Sequence, residues 1–265
     1  MLRIGMLGFG AIGKRVAEAV AAGQLEGTEL TAALVRTPRT AAAERPDITH
    51  DPDWFFRYRL DVVVEGAGHQ AVRDHAVRAL DGGADLYVTS IGAFTDTALL
   101  ERVVAAARAN GCRVHLPSAG IGGLDMLASL AEGGLDEATI TVRKDPASWK
   151  GTAAEALVDL DTLTQPHTVF DGPVREGARL YPQNVNISAA TALAGIGLDR
   201  TRLVIIADPA ITTHVCEISA KGRLGSMRFV EDLVPSPENR KTSTLVGHAI
   251  VKTLRNRTAT LVIGG

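Results

Sequence analysis

Cysteine is nearly absent: Cys112 and Cys216 are the only two in 265 residues, too few for a disulfide framework. No run of about 18 or more apolar residues occurs, and the amino terminus lacks a basic segment leading into an unbroken apolar stretch and a small-residue cleavage site. Neither a membrane span nor a secretion signal is expected, and the reading is cytoplasmic. Charge of one sign is lacking too. The net charge is −2 without a long basic run, which argues against nucleic acid or an anionic membrane as partner. Aromatic residues make up only 4% of the chain, while 27 glycines accompany a 46% apolar fraction. That balance suits an Ala/Val/Leu-rich α/β protein with many strand-to-helix turns. Its length exceeds the usual single domain, and there is no internal repeat, low-complexity tract or flexible linker.

What is present begins at once. Leu2 to Leu7 is a short apolar run that feeds directly into Gly8-Phe9-Gly10-Ala11-Ile12-Gly13. Val16, Ala17, Val20 and Ala21 then continue at helical spacing. In a G-x-G-x-x-G between a strand and a helix, each glycine has a mechanical role. Gly8 permits the tight turn, Gly10 lets backbone approach a pyrophosphate, and Gly13 lets the helix pack on the strand. The N–H groups of the helix start, through Ala11 and Ile12, then face the phosphates. This is a candidate dinucleotide site.

A second strand over Glu29 to Val35 ends without the carboxylate that would take a ribose 2′-hydroxyl; Arg36-Thr37-Pro38-Arg39 stands there instead. Guanidiniums can grip a 2′-phosphate, so NADP is acceptable beside NAD, with solvated loop charges as the alternative. Leu60 to Val64 reads as a third strand and ends in Glu65-Gly66-Ala67-Gly68-His69 before a helix over Ala71 to Leu80. Ligands sit beyond the carboxyl ends of parallel strands, so Gly66 and Ala67 are expected to border the nicotinamide side, with His69 capping or packing the next helix and a cofactor contact as its alternative. Asp85 to Val88 and Cys112 to Leu116 are the fourth and fifth strands, around a helix over Thr97 to Ala109 closed by Gly111. This alternation predicts a doubly wound parallel sheet.

After Pro117 the texture changes. A glycine-rich stretch over Ser118 to Asp125 opens a helix expected to reach Leu135, followed by a strand over Thr139 to Lys144. Pro173 to Leu180 and Val185 to Ala194 read as helices. Leu203 to Ala207, Thr213 to Ala220 and Met227 to Leu233 read as strands without long helices between them, which predicts a separate mixed or antiparallel sheet. A last helix over Thr242 to Leu254 is expected to return to the first sheet. The expected division is residues 1–118 with 240–265 for the dinucleotide domain and 119–239 for a substrate and dimerisation domain.

Several motifs together resemble the L-aspartate dehydrogenase family. They are the amino-terminal glycine loop, Pro117-Ser118-Ala119-Gly120-Ile121-Gly122-Gly123-Leu124-Asp125, Arg143-Lys144-x-Pro146, Tyr181-Pro182-Gln183-Asn184-Val185-Asn186, Ala207-Asp208-Pro209 and Pro235-Ser236-Pro237-Glu238-Asn239-x-Lys241-Thr242-Ser243. The resemblance spans nearly the whole chain. It implies a Rossmann domain holding an inserted α+β substrate domain, usually in a homodimer. It further implies NAD(P)-dependent deamination of L-aspartate to oxaloacetate through iminosuccinate, or the reverse amination, with iminosuccinate supplied to nicotinamide-ring biosynthesis. Gly120 and Asn186 are implied cofactor contacts.

Two departures stand out. The family pattern Ser-Gly-Ala-Ile-Gly-Gly is Ser118-Ala119-Gly120-Ile121-Gly122-Gly123 here, an exchange of small residues. Where the family has Asn-x-His-Glu around its catalytic histidine, this chain has His214-Val215-Cys216-Glu217. In a strand His214 and Cys216 point the same way, roughly 6 to 7 Å apart, so both are catalytic candidates. Imidazole exchanges protons near neutrality; a thiol serves less well, unless His214 makes it a thiolate. Packing in the sheet is the alternative for both.

Holding two substrate carboxylates calls for cationic or N–H donors. Lys144, Lys241 and Arg143 are candidates by type and motif, with Asn184, Thr242 and Ser243 adding neutral hydrogen bonds; Asn184 and Ser243 could instead cap helices. No metal site is expected. Two other functions stay open: a paralogue reducing another imine or 2-oxo acid, and a catalytically silent dinucleotide-binding protein.

Overall fold

The computed structural model describes residues 1–37, 46–182, 185–235 and 243–264. They divide into two compact units, Met1–Ala119 with Val246–Gly265, and Gly120–Leu245.

The first unit is built on a parallel sheet. Its strands are β1 (Leu2–Leu7), β2 (Thr28–Leu34), β3 (Asp47–Thr49), β4 (Val62–Glu65), β5 (Asp85–Val88) and β6 (Val114–His115), in the order β3-β2-β1-β4-β5-β6. The chain reverses direction of travel across the sheet between β1 and β4, the switch point where such folds bind nucleotides. Helix α1 (Ala11–Ala21) buries Gly13, Val16 and Ala19. Helices α2 (Pro52–Phe55), α3 (His69–Asp81) and α4 (Thr97–Ala109) also belong to this unit. The expected doubly wound sheet is present, with one strand more than the five legible in the sequence. That strand, β3, has three residues, too few to show a period.

In the second unit, α5 (Leu124–Glu132) leads into β7 (Leu135–Lys144), β8 (His167–Pro173), α6 (Val174–Leu180), α7 (Asn186–Ala194), β9 (Arg202–Ala207), β10 (His214–Gly222) and β11 (Gly225–Leu233). The sheet order is β11-β10-β7-β9-β8; β7 and β9 run parallel and every other pair is antiparallel. This is the expected mixed sheet, with two corrections. Leu135 opens β7 rather than closing α5, because Gly134 at φ +92° breaks the helix before it. Strand β8 escapes sequence reading because His167, Thr168, Asp171 and Gly172 interrupt its apolar content.

The last helix, α8 (Leu245–Asn256), starts later than expected; Ser243 Oγ accepts the N–H of its first residue, Leu245, at 3.0 Å. Ile250, Val251 and Leu254 of α8 join Ile4 and Met6 of β1 and Val16 of α1 in one apolar core, as the sequence leads one to expect. Among the described residues no helix is long and apolar enough to cross a membrane.

Candidate active site

In the first unit the glycine loop has the geometry its spacing requires. Gly8 sits at φ +92°, and a Cβ there would lie 2.9 Å from the Gly66 carbonyl oxygen and from Ala67 Cβ. Gly13 presses its bare face on the Gly8 carbonyl, where a Cβ would come within 2.9 Å. At Gly10, by contrast, a Cβ would meet nothing within 4 Å. The outer two glycines thus serve packing, while the space over Gly10 stays open for a ligand to approach backbone. Gly10 caps α1 without a side-chain hydrogen bond, and the first turn holds no acidic residue. The first-turn N–H groups of Ala11, Ile12 and Gly13 and the positive helix end make this an anion cradle, so the residues present fit a dinucleotide pyrophosphate.

The neighbouring turn is held by a residue that sequence reading passed over. Glu65, at the end of β4, is fully buried, and its Oε1 accepts from the N–H of Ala67 at 2.7 Å, the N–H of Gly68 at 2.8 Å and the hydroxyl of Ser90 at 2.9 Å. Its Oε2 accepts the Ser90 N–H at 2.9 Å. One carboxylate therefore fixes the turn after β4 and the turn after β5 together. Gly66 packs against Ile12 of α1, which ties this turn to the glycine loop. His69 is the first residue of α3. Arg36 and Thr37 follow β2 and are exposed, while Arg39 lies outside the described residues.

The second unit gathers its chemistry at one end of one sheet face. Burial alternates along β7 and β10, placing Lys144 on β7 and His214 and Cys216 on β10 on the covered face. All three are nearly inaccessible, at 5%, 5% and 3%. The Lys144 ammonium lies 5.7 Å from the centre of the Trp149 ring, a cation–π contact that keeps a buried charge tolerable. Cys216 pairs with Val142 on one side and with Glu231 of β11 on the other.

Burial, and then the Glu231 charge, push the Cys216 thiol up to about 12, against a smaller lowering by Lys144. At neutral pH this favours the protonated thiol over the thiolate that a catalytic cysteine would need. Arg143 is turned away from these groups. One residue before Lys144, it points to the other face, where its Nη1 donates to Asp208 Oδ2 at 2.9 Å. Asp208 is itself buried and accepts the Ala210 N–H at 2.9 Å. The Ala207-Asp208-Pro209 motif thus orders the turn between β9 and β10.

Gly122 and Gly123 pack their bare faces on Phe229 of β11, where Cβ atoms would come within 2.5 Å and 3.1 Å of the ring. This packing brings the Gly122 N–H to Glu231 Oε2 at 3.1 Å. Gly120 begins this unit and Asn186 begins α7. Asn184, Lys241 and Thr242 lie outside the described residues.

The family model for the aspartate dehydrogenase C-terminal domain matches residues 125–257, and that for the homoserine dehydrogenase NAD binding domain matches residues 8–117. An L-aspartate dehydrogenase of Polaromonas sp. strain JS666 is 39% identical over 273 residues, covering 99% of this chain and 100% of the relative. The chain belongs to the aspartate dehydrogenase family. Its relative from Cupriavidus necator is also 39% identical, covering 97% of this chain and 98% of its own length. The crystal structure of aspartate dehydrogenase from Thermotoga maritima shares the fold, at a TM-score of 0.79 and 24% identity over the whole of both chains. Membership makes this chain an amino-acid dehydrogenase with NAD or NADP as its cofactor.

Glu231 is the second residue that sequence reading missed. Its signal was present: Met227, Phe229, Glu231 and Leu233 form the covered face of β11, so a carboxylate stands in an otherwise apolar alternation. Buried charges of that kind are either paired or functional.

Proposed function

We propose that this chain oxidises L-aspartate to iminosuccinate and thence oxaloacetate with NAD or NADP, or runs the reverse amination. The observation that carries the reading is the grouping of Lys144, His214 and Glu231 at one end of a sheet face, in a member of this family that also keeps an open anion cradle at Gly10. The cofactor supplies the hydride acceptor, and the protein must bind two carboxylates and manage protons. In the first unit, the N–H groups of Ala11, Ile12 and Gly13 would hold the pyrophosphate, and Arg36 would meet a ribose 2′-phosphate. Lys144 takes one substrate carboxylate as a cationic donor, and Lys241, Thr242 and Asn184 remain candidates for the other by motif. His214 hydrogen-bonds the reacting nitrogen or oxygen, Cys216 is a neutral wall beside it, and Gly120 and Asn186 are cofactor contacts.

We extend the proposal to a cytoplasmic homodimer supplying iminosuccinate to nicotinamide-ring biosynthesis. Dimerisation draws support from β11, a sheet edge with no further strand among the described residues, which carries exposed Val230, with exposed Val234 just beyond it.

The test is a panel of amino acids with both nucleotides. Reduction of nucleotide that depends on L-aspartate, and is much weaker with L-glutamate and L-alanine, supports the reading. Activity confined to another imine or 2-oxo acid would replace it by the paralogue, and tight nucleotide binding with no turnover by the silent binder.

A further inference from the structure

We propose that Glu231 is the catalytic acid–base: its carboxylate, across from Cys216 on the neighbouring strand, exchanges protons with the substrate nitrogen and the attacking water. The proposal rests on the dehydrogenase reading above and names the group that carries its protons.

Position comes first. Cys216 and Glu231 are direct register partners, and His214, two residues along β10, shares their face with Lys144 of β7. Glu231 therefore shares one sheet face with the cation and the imidazole assigned to the substrate. The carboxylate is anchored at one oxygen only. Oε2 accepts the Gly122 N–H, whereas Oε1 is buried and takes no hydrogen bond among the described residues. A buried acceptor left unmade is costly to the fold. Here it leaves one oxygen, held in place by the other, available to a ligand's proton.

The environment suits proton exchange. Burial pushes Glu231 up to about 7, opposed only by the Gly122 N–H. Both its forms are populated near neutrality, the condition under which an acid–base group works best. Cys216 and the Gly122 backbone lie against it, and the other titratable groups on that sheet face are His214 of β10 and Lys144 of β7. Of these the thiol stays neutral, since its own ionisation lies near 12.

The proton steps balance. In the oxidative direction the carboxylate accepts one proton from the substrate ammonium, and the Cα–H bond then breaks as hydride leaves for the nicotinamide and C=N forms. Glu231 passes its proton to solvent. It next accepts a proton from the water that adds to the imine carbon, and returns it to the nitrogen. The C–N bond breaks, C=O forms, and the hydroxyl proton leaves with ammonia as ammonium.

The test compares wild type with Glu231→Gln and Glu231→Asp on whichever amino acid of the panel the wild type oxidises. Glu231→Gln is expected to lower kcat by about 10²- to 10⁴-fold in both directions with nucleotide Kd unchanged. Wild-type oxidative kcat/KM should rise with pH through a limb near 7; the glutamine variant loses that limb and the aspartate variant keeps it. A carboxyl infrared band titrating over the same range, absent from Glu231→Gln, reports the group without turnover. A glutamine variant as fast as wild type with its limb intact, while His214→Ala is dead, would overturn the assignment and give the proton to His214. A wrong substrate gives a different result: activity moves to another amino acid with the Glu231 dependence intact.

Discussion

Glu65 accepts both the N–H and the hydroxyl of Ser90, each at 2.9 Å, and so clamps the turn after β5 to the turn after β4. Removing the carboxylate strands four donors, the two of Ser90 buried and the Ala67 and Gly68 N–H groups partly buried. Glu65→Ala is expected to cost roughly 2 to 4 kcal/mol of stability, on the scale of unsatisfied buried groups. Because the Gly66–Gly68 turn loses its anchor, nucleotide Kd should rise in the same variant. Urea unfolding and nucleotide titration measure the two effects, and an unchanged Kd would detach this turn from nucleotide binding.

The glycine loop separates folding from binding. Gly8→Ala forces a side chain into a left-handed conformation and against the Gly66 carbonyl, so the expected outcome is a clear loss of thermal stability. Gly10→Ala meets open space. Its Tm should stay close to wild type while nucleotide affinity falls at least about tenfold, ~1.4 kcal/mol. Equal damage to stability by both would contradict the assignment of Gly10 to the ligand.

Arg36 tests nucleotide choice. A carboxylate at the end of β2 repels a 2′-phosphate and accepts a 2′-hydroxyl. Arg36→Glu is therefore expected to move the kcat/KM ratio toward NAD by about tenfold or more. An unmoved ratio, measured with both nucleotides at saturating substrate, would make Arg36 a solvated loop charge.

Arg143 separates a structural cation from a substrate-binding one. Its partner Asp208 is buried, so Arg143→Ala leaves that carboxylate without its guanidinium. The guanidinium is itself partly exposed, which limits the loss to about 1–3 kcal/mol. Substrate KM should change little, whereas Lys144→Ala should raise it strongly. Steady-state kinetics beside denaturant unfolding tells the two lysine and arginine roles apart.

Elements with strong local signals were legible in the sequence. The loop from Gly8 to Gly13 announces itself by spacing, and β5 and α4 have the bounds that their periodicity gives. What was hidden depended on long-range pairing. The face that Arg143 points to is set by the register of β7 against β10, and Arg143 and Lys144 look equivalent until alternation divides them. Glu231 is 109 residues from Gly122, so no local pattern shows their hydrogen bond. Its placement among Met227, Phe229 and Leu233 was the one available cue. Glu65 closes an apolar strand as many solvated residues do, and only the folded turns reveal four donors converging on it.

The transfer of hydride from the substrate α-carbon is tested most directly by isotope. L-aspartate carrying deuterium at Cα is incubated with the purified chain and oxidised nucleotide, and the reduced nucleotide is read by proton NMR. One deuterium at nicotinamide C4, with oxaloacetate and ammonium formed in equal amounts, is the expected result. Reduced nucleotide without deuterium, or none at all while the same preparation binds nucleotide, would contradict it.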